Sequence, residues 1–423
     1  MAAYSLNSPF PQRRVVITGM GVITASGLDL DTLWHNLRNG ISGAVSITRF
    51  DTSSLPTKIG AEISGFDCGN YISPKKARRY DLSIQYGIAA SIEAVRDSSL
   101  VISKMDPDRI GIIEATSLSG MESAFKGQVD YTEKGYRRLS PYYLINAYCG
   151  GGSGEIAVEL GLKGFAMTYS SGSASGNDAI GYAASLIRQD EMDVIIAGGT
   201  EAPLLPPLFG GFCAGRLMTV RNDDPQHAMR PFDKSHDGFL LGEGAGFLVL
   251  EELSYALNRG ARIYAEVASH GRSSEAYHSV MPHPQGIGTY RAMEKALRKA
   301  RLTVEEIDYI NGHGTATESN DEVETLAIKN LFHDHARRLA VSGTKPVTGH
   351  LLAASGAVET VICALAIRHQ EIPPTANFRE PMAGCDLDYV SEGARPYPLR
   401  NVMNLNGGFG GKNSCLILSN YRE

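Results

Sequence analysis

Most of the marks that assign a function at sight are missing from this chain. Its six cysteines, at 68, 149, 213, 363, 385 and 415, form no CxxC pair, which argues against a zinc site or a disulfide frame and for reduced thiols. No excess of positive charge is present; a net charge of −6 argues against a general nucleic-acid binder. The opening MAAYSLNSPFPQRR has no long apolar run before its basic pair, and no later stretch reads as long enough to span a bilayer, so a cytoplasmic protein is expected. Nucleotide loops are incomplete as well. In RRVVITGMG and the residues after it, Thr24 occupies the third glycine position of GxGxxG. GEGAG is not followed by Lys-Ser or Lys-Thr, and NGGFGGKN has Asn413 where a Walker loop needs Ser or Thr. Low-complexity linkers and fine repeats are also absent.

Glycine, at 46 of 423 residues, is in excess, which fits tight turns and close backbone approaches. Residues 165 to 189, FAMTYSSGSASGNDAIGYAASLIRQ, form a short apolar run that breaks into Ser and Gly and then becomes a small-residue helical pattern. A strand feeding straight into a helix leaves free N–H groups and a positive dipole end at the first helical side chain. Ser173 stands there, as a nucleophile position. Ala, Gly and Ser from 174 to 184 would let that helix lie buried against another backbone. Residues 339 to 368, LAVSGTKPVTGHLLAASGAVETVICALAIR, repeat the pattern with Lys345 and His350. Two copies of one uncommon pattern point to two related halves, expected at 1–258 and 259–423 and packed as one rigid body.

Along the chain, Asp29 to Asn39 reads as a helix capped by Asp29 and stopped by Gly40. Ser73-Pro74 opens what is expected to be one long helix through about Asp97. Its first turns hold Lys75, Lys76, Arg78 and Arg79; Arg137, Arg138 and Arg216 follow. Such clusters are either solvated faces or, in an acidic protein, docking points for an acidic partner. RIGIIEATS and DVIIAGGTEA read as buried strands. Thr303 and Glu306 form a capping-box pattern, and IDYINGHGT delivers His313 to a loop.

The chain resembles an elongating, type II β-ketoacyl-acyl-carrier-protein synthase of the thiolase-like superfamily. VVITGMGVITA, RPFDKSHDGF, LGEGAGFLVLE, HGTAT, TKPVTGHLLAASGAVE and GGFGGKN carry the resemblance over essentially the whole chain. It implies a thiolase-like α/β fold of two fused pseudo-symmetric halves in five layers, with the two small-residue helices at the centre. It implies a decarboxylative Claisen condensation in which residue 173 takes an acyl chain from a carrier protein. His313 and His350 would then promote loss of carbon dioxide from a malonyl unit. Lys345 and Glu359 match a supporting pair. Phe409 matches both an oxyanion N–H, shared with residue 173, and the gate of the acyl pocket. Thr315 and Thr317 match hydroxyls that hold the phosphopantetheine arm, and Phe212 and Gly407 are further substrate-contacting positions. Lys75, Arg78, Arg79, Arg137, Arg138 and Arg216 fall where such enzymes dock their acidic carrier. No cofactor or metal is implied; the substrates ride on carrier-protein phosphopantetheine. A dimer through the region before Ser173 is implied, either a homodimer or a heterodimer with a ketosynthase-like subunit.

Three departures stand out. The resemblance has Cys where this chain has Ser173, and a hydroxyl, unlike a thiol, does not ionise without a base close by. Ser173 is therefore expected to acylate poorly. An engineered Cys-to-Ser change, a natural serine variant and a non-condensing chain-length subunit all stay open, and the retained His313, Lys345 and His350 favour the first two. A serine hydrolase fits less well, since the tip reads GSASG and not GxSxG. Gly407 replaces a ring before the gate, which should enlarge the space there. Phe165 and Met167, read as just before the strand, replace smaller residues, and LINAYCGGG (144 to 152) is a glycine-rich departure where the family packs its dimer and pocket floor; together they lean towards a polyketide or unusual fatty-acyl substrate. Cys213 is read as lining or core. The nine histidines other than His313 and His350 are read as surface or structural.

Overall fold

A computed structural model describes residues 13–422. The expectation about the first twelve residues lies outside that range. Ten strands form one sheet: β1 (Val15–Thr24), β2 (Ile110–Ala115), β3 (Ala166–Tyr169), β4 (Val194–Glu201), β5 (Gly244–Glu252), β6 (Ala265–Ser274), β7 (Tyr309–Asn311), β8 (Ala340–Ser342), β9 (Asn401–Gly408) and β10 (Lys412–Ser419). Their spatial order is β8-β7-β9-β10-β6-β1-β5-β4-β2-β3. Counted from the middle, each half runs first, fifth, fourth, second, third. Pairings follow suit, with two antiparallel and then two parallel neighbours on each side. The halves join at a short seam, Val16 with Glu266 and Ile17 with Ala265.

Helices repeat the symmetry. Of the main ones, α1 (Leu30–Arg38) is capped by the Asp29 side chain, which accepts from the Thr32 N–H. α2 (Leu82–Ser98) covers the outer face of the first half together with α3 (Gly151–Leu160). α4 (Ser175–Arg188) leaves the third strand of the first half. α5 (Ile287–Ala300) and α6 (Asn320–Phe332) cover the outer face of the second half. α7 (Ser355–His369) follows that half's third strand. α4 and α7 lie between the two halves, where Ala179, Ala183 and Ala184 meet Ala357, Val361 and Ala364 in the central core. The five layers expected from the resemblance are therefore helix, sheet, paired central helices, sheet, helix. Small side chains permit the central approach: a methyl on Gly176 would overlap the Ala357 amide, and one on Gly356 would lie 2.6 Å from the Asn177 nitrogen.

Three sequence expectations need correction, and a fourth, the capping box, is met. The long helix from Ser73 is broken: one turn, Pro74–Ala77, ends before Asp81, which starts α2 by accepting from the Ser83 N–H. Asp81 also accepts from the Ser123 N–H and hydroxyl, so a tertiary contact fixes the break. The Thr303–Glu306 capping box forms, but it caps a single 3-10 turn. Met167 lies within β3, and only Phe165 precedes it. Finally, Leu352–His369 does have the length and hydropathy (1.3 over 18 residues) to cross a membrane, yet 89% of it is buried inside the fold. It is the central helix of a globular core, whose apolar surface is covered by the two halves of the sheet.

Candidate active site

Strand β3 ends in a turn in which Gly172 adopts φ +69°, the left-handed region that favours glycine. The Ser171 N–H donates to the Ser175 hydroxyl at 2.7 Å, and that hydroxyl donates to the Gly172 carbonyl at 2.5 Å. Ser173, partly exposed, is thereby held one residue before the α4 cap. Asp178, in the first turn of α4, anchors the turn from below. It accepts from the Ser171 hydroxyl at 2.7 Å and faces His270 Nε2 at 3.0 Å. Burial alone would push the Asp178 carboxyl up, but the His270 and Ser171 hydrogen bonds hold it below its ordinary value. His270 is thus structural, as expected.

From the other half, His350 brings Nε2 to 3.2 Å from the Ser173 hydroxyl. Its backbone is pinned by the segment that leads into GEGAG: His350 N–H donates to Leu240 O at 2.7 Å, and Gly242 N–H donates to His350 O at 3.0 Å. The Phe239 ring stands edge-on to His350 at 5.1 Å. His313 stands edge-on to the same imidazole, with ring centres 5.6 Å apart. Both imidazoles are buried, and burial followed by the nearby Lys345 ammonium drives both well below the usual histidine value. Two neutral rings are the result, each able to donate from one nitrogen and accept at the other.

Lys345 is fully buried and pairs with Glu359 at 2.6 Å, and Asn406 donates to the second Glu359 oxygen at 2.8 Å. Burial raises the Glu359 carboxyl while Lys345 draws it back. Two acidic residues that the sequence reading missed hold the His313 loop. Glu324 accepts from the His313 and Gly314 N–H groups at 2.6 and 2.9 Å. Asp321 accepts from Thr315 and Ala316. Burial pushes Glu324 up to about 7. The available signal was a pair of carboxylates on the apolar face of α6, beside Thr325 and Ile328. Ser355 and Asn406 were missed too, since a lone Ser or Asn in a small-residue run has no distinguishing pattern.

Ser173, His313, His350, Lys345, Glu359, Thr315 and Gly407 therefore converge. A methyl on Gly407 would lie 3.2 Å from the His313 ring, so the missing side chain lets β9 run close beside that imidazole. Thr315 and Thr317 share a 2.8 Å hydrogen bond in the same loop. Phe409 is half exposed on the β9–β10 loop, whose Gly408 lies against the Ser171–Ser173 turn. Phe212 sits one ring further out, edge-on to Phe239 at 5.7 Å, and Cys213 is buried beside it. The basic residues lie outside the centre. Lys75, Arg78, Arg137, Arg138 and Arg216 are exposed, and Arg79 stacks over Tyr142 at 4.9 Å. Among the described residues no group of His, Cys, Asp and Glu is arranged to hold a metal.

The doubled winding and its paired central helices define a thiolase-like fold. Residues 12–256 match the β-ketoacyl synthase N-terminal domain, and residues 264–379 match the β-ketoacyl synthase C-terminal domain. The chain is 43% identical to a 3-oxoacyl-[acyl-carrier-protein] synthase 2 of Coxiella burnetii, over 96% of this chain and 99% of that protein. It is 40% identical to one from Synechocystis, over 97% and 99%. Among solved structures, the ishigamide ketosynthase/chain length factor superposes with a TM-score of 0.90 at 35% identity, covering 97% of this chain and all of that one. A type II polyketide ketosynthase in complex with its acyl-carrier protein gives 0.90 at 30% identity, with the same coverage. The chain belongs to the β-ketoacyl synthase family, and its chemistry is that of an acyltransferase.

Proposed function

We propose that this chain condenses an acyl group held on residue 173 with a malonyl unit, both delivered by acyl carrier protein, in type II fatty-acid or polyketide synthesis. The observation that carries the reading is the meeting of Ser173, His350 and His313 at the tip of α4, backed by the buried Lys345–Glu359 pair. Acylation exchanges a thioester for an ester on residue 173. Malonyl then loses carbon dioxide, the electrons of the broken C–C bond pass to an enolate, and donors from His313 and His350 stabilise its oxygen. The carbanion attacks the ester carbonyl; a C–C bond forms and the bond to residue 173 breaks. No step needs a metal or a cofactor of the protein's own.

In this reading Ser173 stands where the family's Cys would be and works more slowly than a thiolate. The N–H groups of residues 173 and 409 hold the acyl oxygen, Phe409 gates the pocket, and Phe212 and Gly407 shape it. Thr315 and Thr317 receive the phosphopantetheine arm. Lys75, Arg78, Arg79, Arg137, Arg138 and Arg216 steer the acidic carrier. We place the half boundary at 258/259 and the protein in the cytoplasm. A dimer is proposed on the open edge of β3, since it is the last strand of the sheet and adjoins exposed Leu144, Tyr148 and Val158. Such an edge is ordinarily covered.

Intact-mass analysis tests the reading. The chain and its Ser173→Cys form are incubated with a panel of acyl carrier proteins and then with malonyl carrier protein. The Ser173→Cys form should gain the acyl mass rapidly and elongate it. If neither form gains mass, alone or with a ketosynthase partner, the silent chain-length subunit replaces the condensing enzyme.

A further inference from the structure

The His350 ring has a hydroxyl on each side. Nε2 lies 3.2 Å from Ser173 Oγ, and Nδ1 lies 3.1 Å from Ser355 Oγ. Ser355 is the first residue of α7 and is buried. Its oxygen already accepts the Leu351 N–H at 2.9 Å, which fixes its place and leaves one proton and one lone pair to face Nδ1. A backbone N–H in that position could only donate, and would lock the imidazole with its proton on Nε2. A hydroxyl can also accept. When Ser355 donates, Nε2 carries the proton and is a donor. When Nδ1–H donates to Ser355, Nε2 presents a lone pair to Ser173.

We propose that Ser355 is a positioning residue that holds the His350 proton on Nδ1 so that Nε2 acts as the base for Ser173, and Ser173, His350 and Ser355 form a relay that makes the serine a working nucleophile. This rests on the condensing reading above. In acylation, Ser173 Oγ forms a bond to the thioester carbonyl carbon while its proton passes to Nε2, and Nδ1–H stays bonded to Ser355. The tetrahedral centre then collapses with loss of the C–S bond, and the Nε2 proton goes to the departing pantetheine sulfur. The products are an ester on Ser173 and a free thiol on the carrier arm. The neutral state of His350, set by burial and Lys345, keeps its lone pair available, although as a weak base. A nucleophile held by a base that is itself oriented by a third group is the general arrangement for activating a hydroxyl.

The experiment follows acylation of residue 173, to an ester on Ser or a thioester on Cys, by intact mass over time in four chains: the parent, Ser355→Ala, Ser173→Cys, and the double variant. Ser355→Thr serves as the rescue that keeps the hydroxyl. Circular dichroism and thermal unfolding confirm that each is folded. With general-base catalysis worth about 10²–10⁴-fold in all, Ser355→Ala should slow acylation of the serine form about tenfold or more. Ser355→Thr should restore most of that rate. In the Ser173→Cys background the same Ser355→Ala change should matter less than about twofold, because a thiolate attacks without a base. An equal loss in both backgrounds would make Ser355 merely structural and overturn the relay. So would a serine form that stays unacylated while the Ser173→Cys form acylates. If neither form acylates, the condensing reading itself falls, and the relay with it.

Discussion

The two halves share one winding, yet their central helix tips differ in a way that divides the chemistry. The α4 tip is reached from solvent: Ser173 is partly exposed, Phe409 half exposed, and the turn is held by neutral hydroxyls and Asp178. The α7 tip is sealed, with His350, Lys345 and Glu359 at 4%, 0% and 1% exposure. One half offers a hydroxyl that solvent reaches; the other supplies a buried imidazole, ammonium and carboxylate. One buried carboxylate from each half extends the comparison. Glu359 has Lys345 and Asn406, whereas neither oxygen of Glu114, in the first half, has a hydrogen-bond partner.

Removing the base from the sealed tip should have the largest effect. His350→Ala is expected to lower malonyl-dependent elongation in the Ser173→Cys form by about 10²–10⁴-fold, read by product mass, while the fold survives. Breaking the ion pair comes next. Lys345→Met leaves Glu359 charged and buried, and should cost about 3–5 kcal/mol in urea unfolding. Removing both, as Lys345→Met with Glu359→Leu, should recover most of that loss.

The unpartnered carboxyl gives a pH test of the contrast. Burial lifts Glu114 to about 8 from an ordinary 4.5, and the neighbouring Glu201 carboxylate adds to the shift. Its folded value lies above its unfolded one, so the folded chain holds more protons between those values. Its contribution to stability is present at low pH and is lost as pH rises through that window, by at most about 1.4 kcal/mol per pH unit. Glu114→Gln should flatten the stability profile from pH 5 to 8 more than Glu359→Gln does, because Lys345 draws the raised Glu359 carboxyl back towards its ordinary value. Melting temperatures across that range check it. Last, Gly176→Ala and Gly356→Ala press on the central contact from opposite sides. Each should cost about 1–3 kcal/mol, as overpacking does. Equal losses would show that the two tips are mechanically equivalent despite their different chemistry.

The strands and central helices were legible because each is a local pattern. Apolar runs ending in Gly or Ser marked β3 and β8, and small residues marked α4 and α7 as buried. His313 and His350 were legible through the turns around them. The break at Asp81 was not, because the residues that make it decisive, Ser123 and Asn146, lie far along the chain. Nor were Glu324 and Asp321. A carboxylate on a helix reads as surface until a loop from another strand presents its N–H groups to it.

By itself the sequence determined the two-fold repetition, the buried character of the central helices and the residue types at their tips, since these depend on periodicity and side-chain size. Tertiary structure decided what the tips do together. Residues 173, 313, 350 and 355 meet only because two glycine-lined helices pack closely enough to share one pocket. The protonation of His350, the availability of its lone pair and the pairing of Glu359 follow from burial and from neighbours that chain order does not reveal.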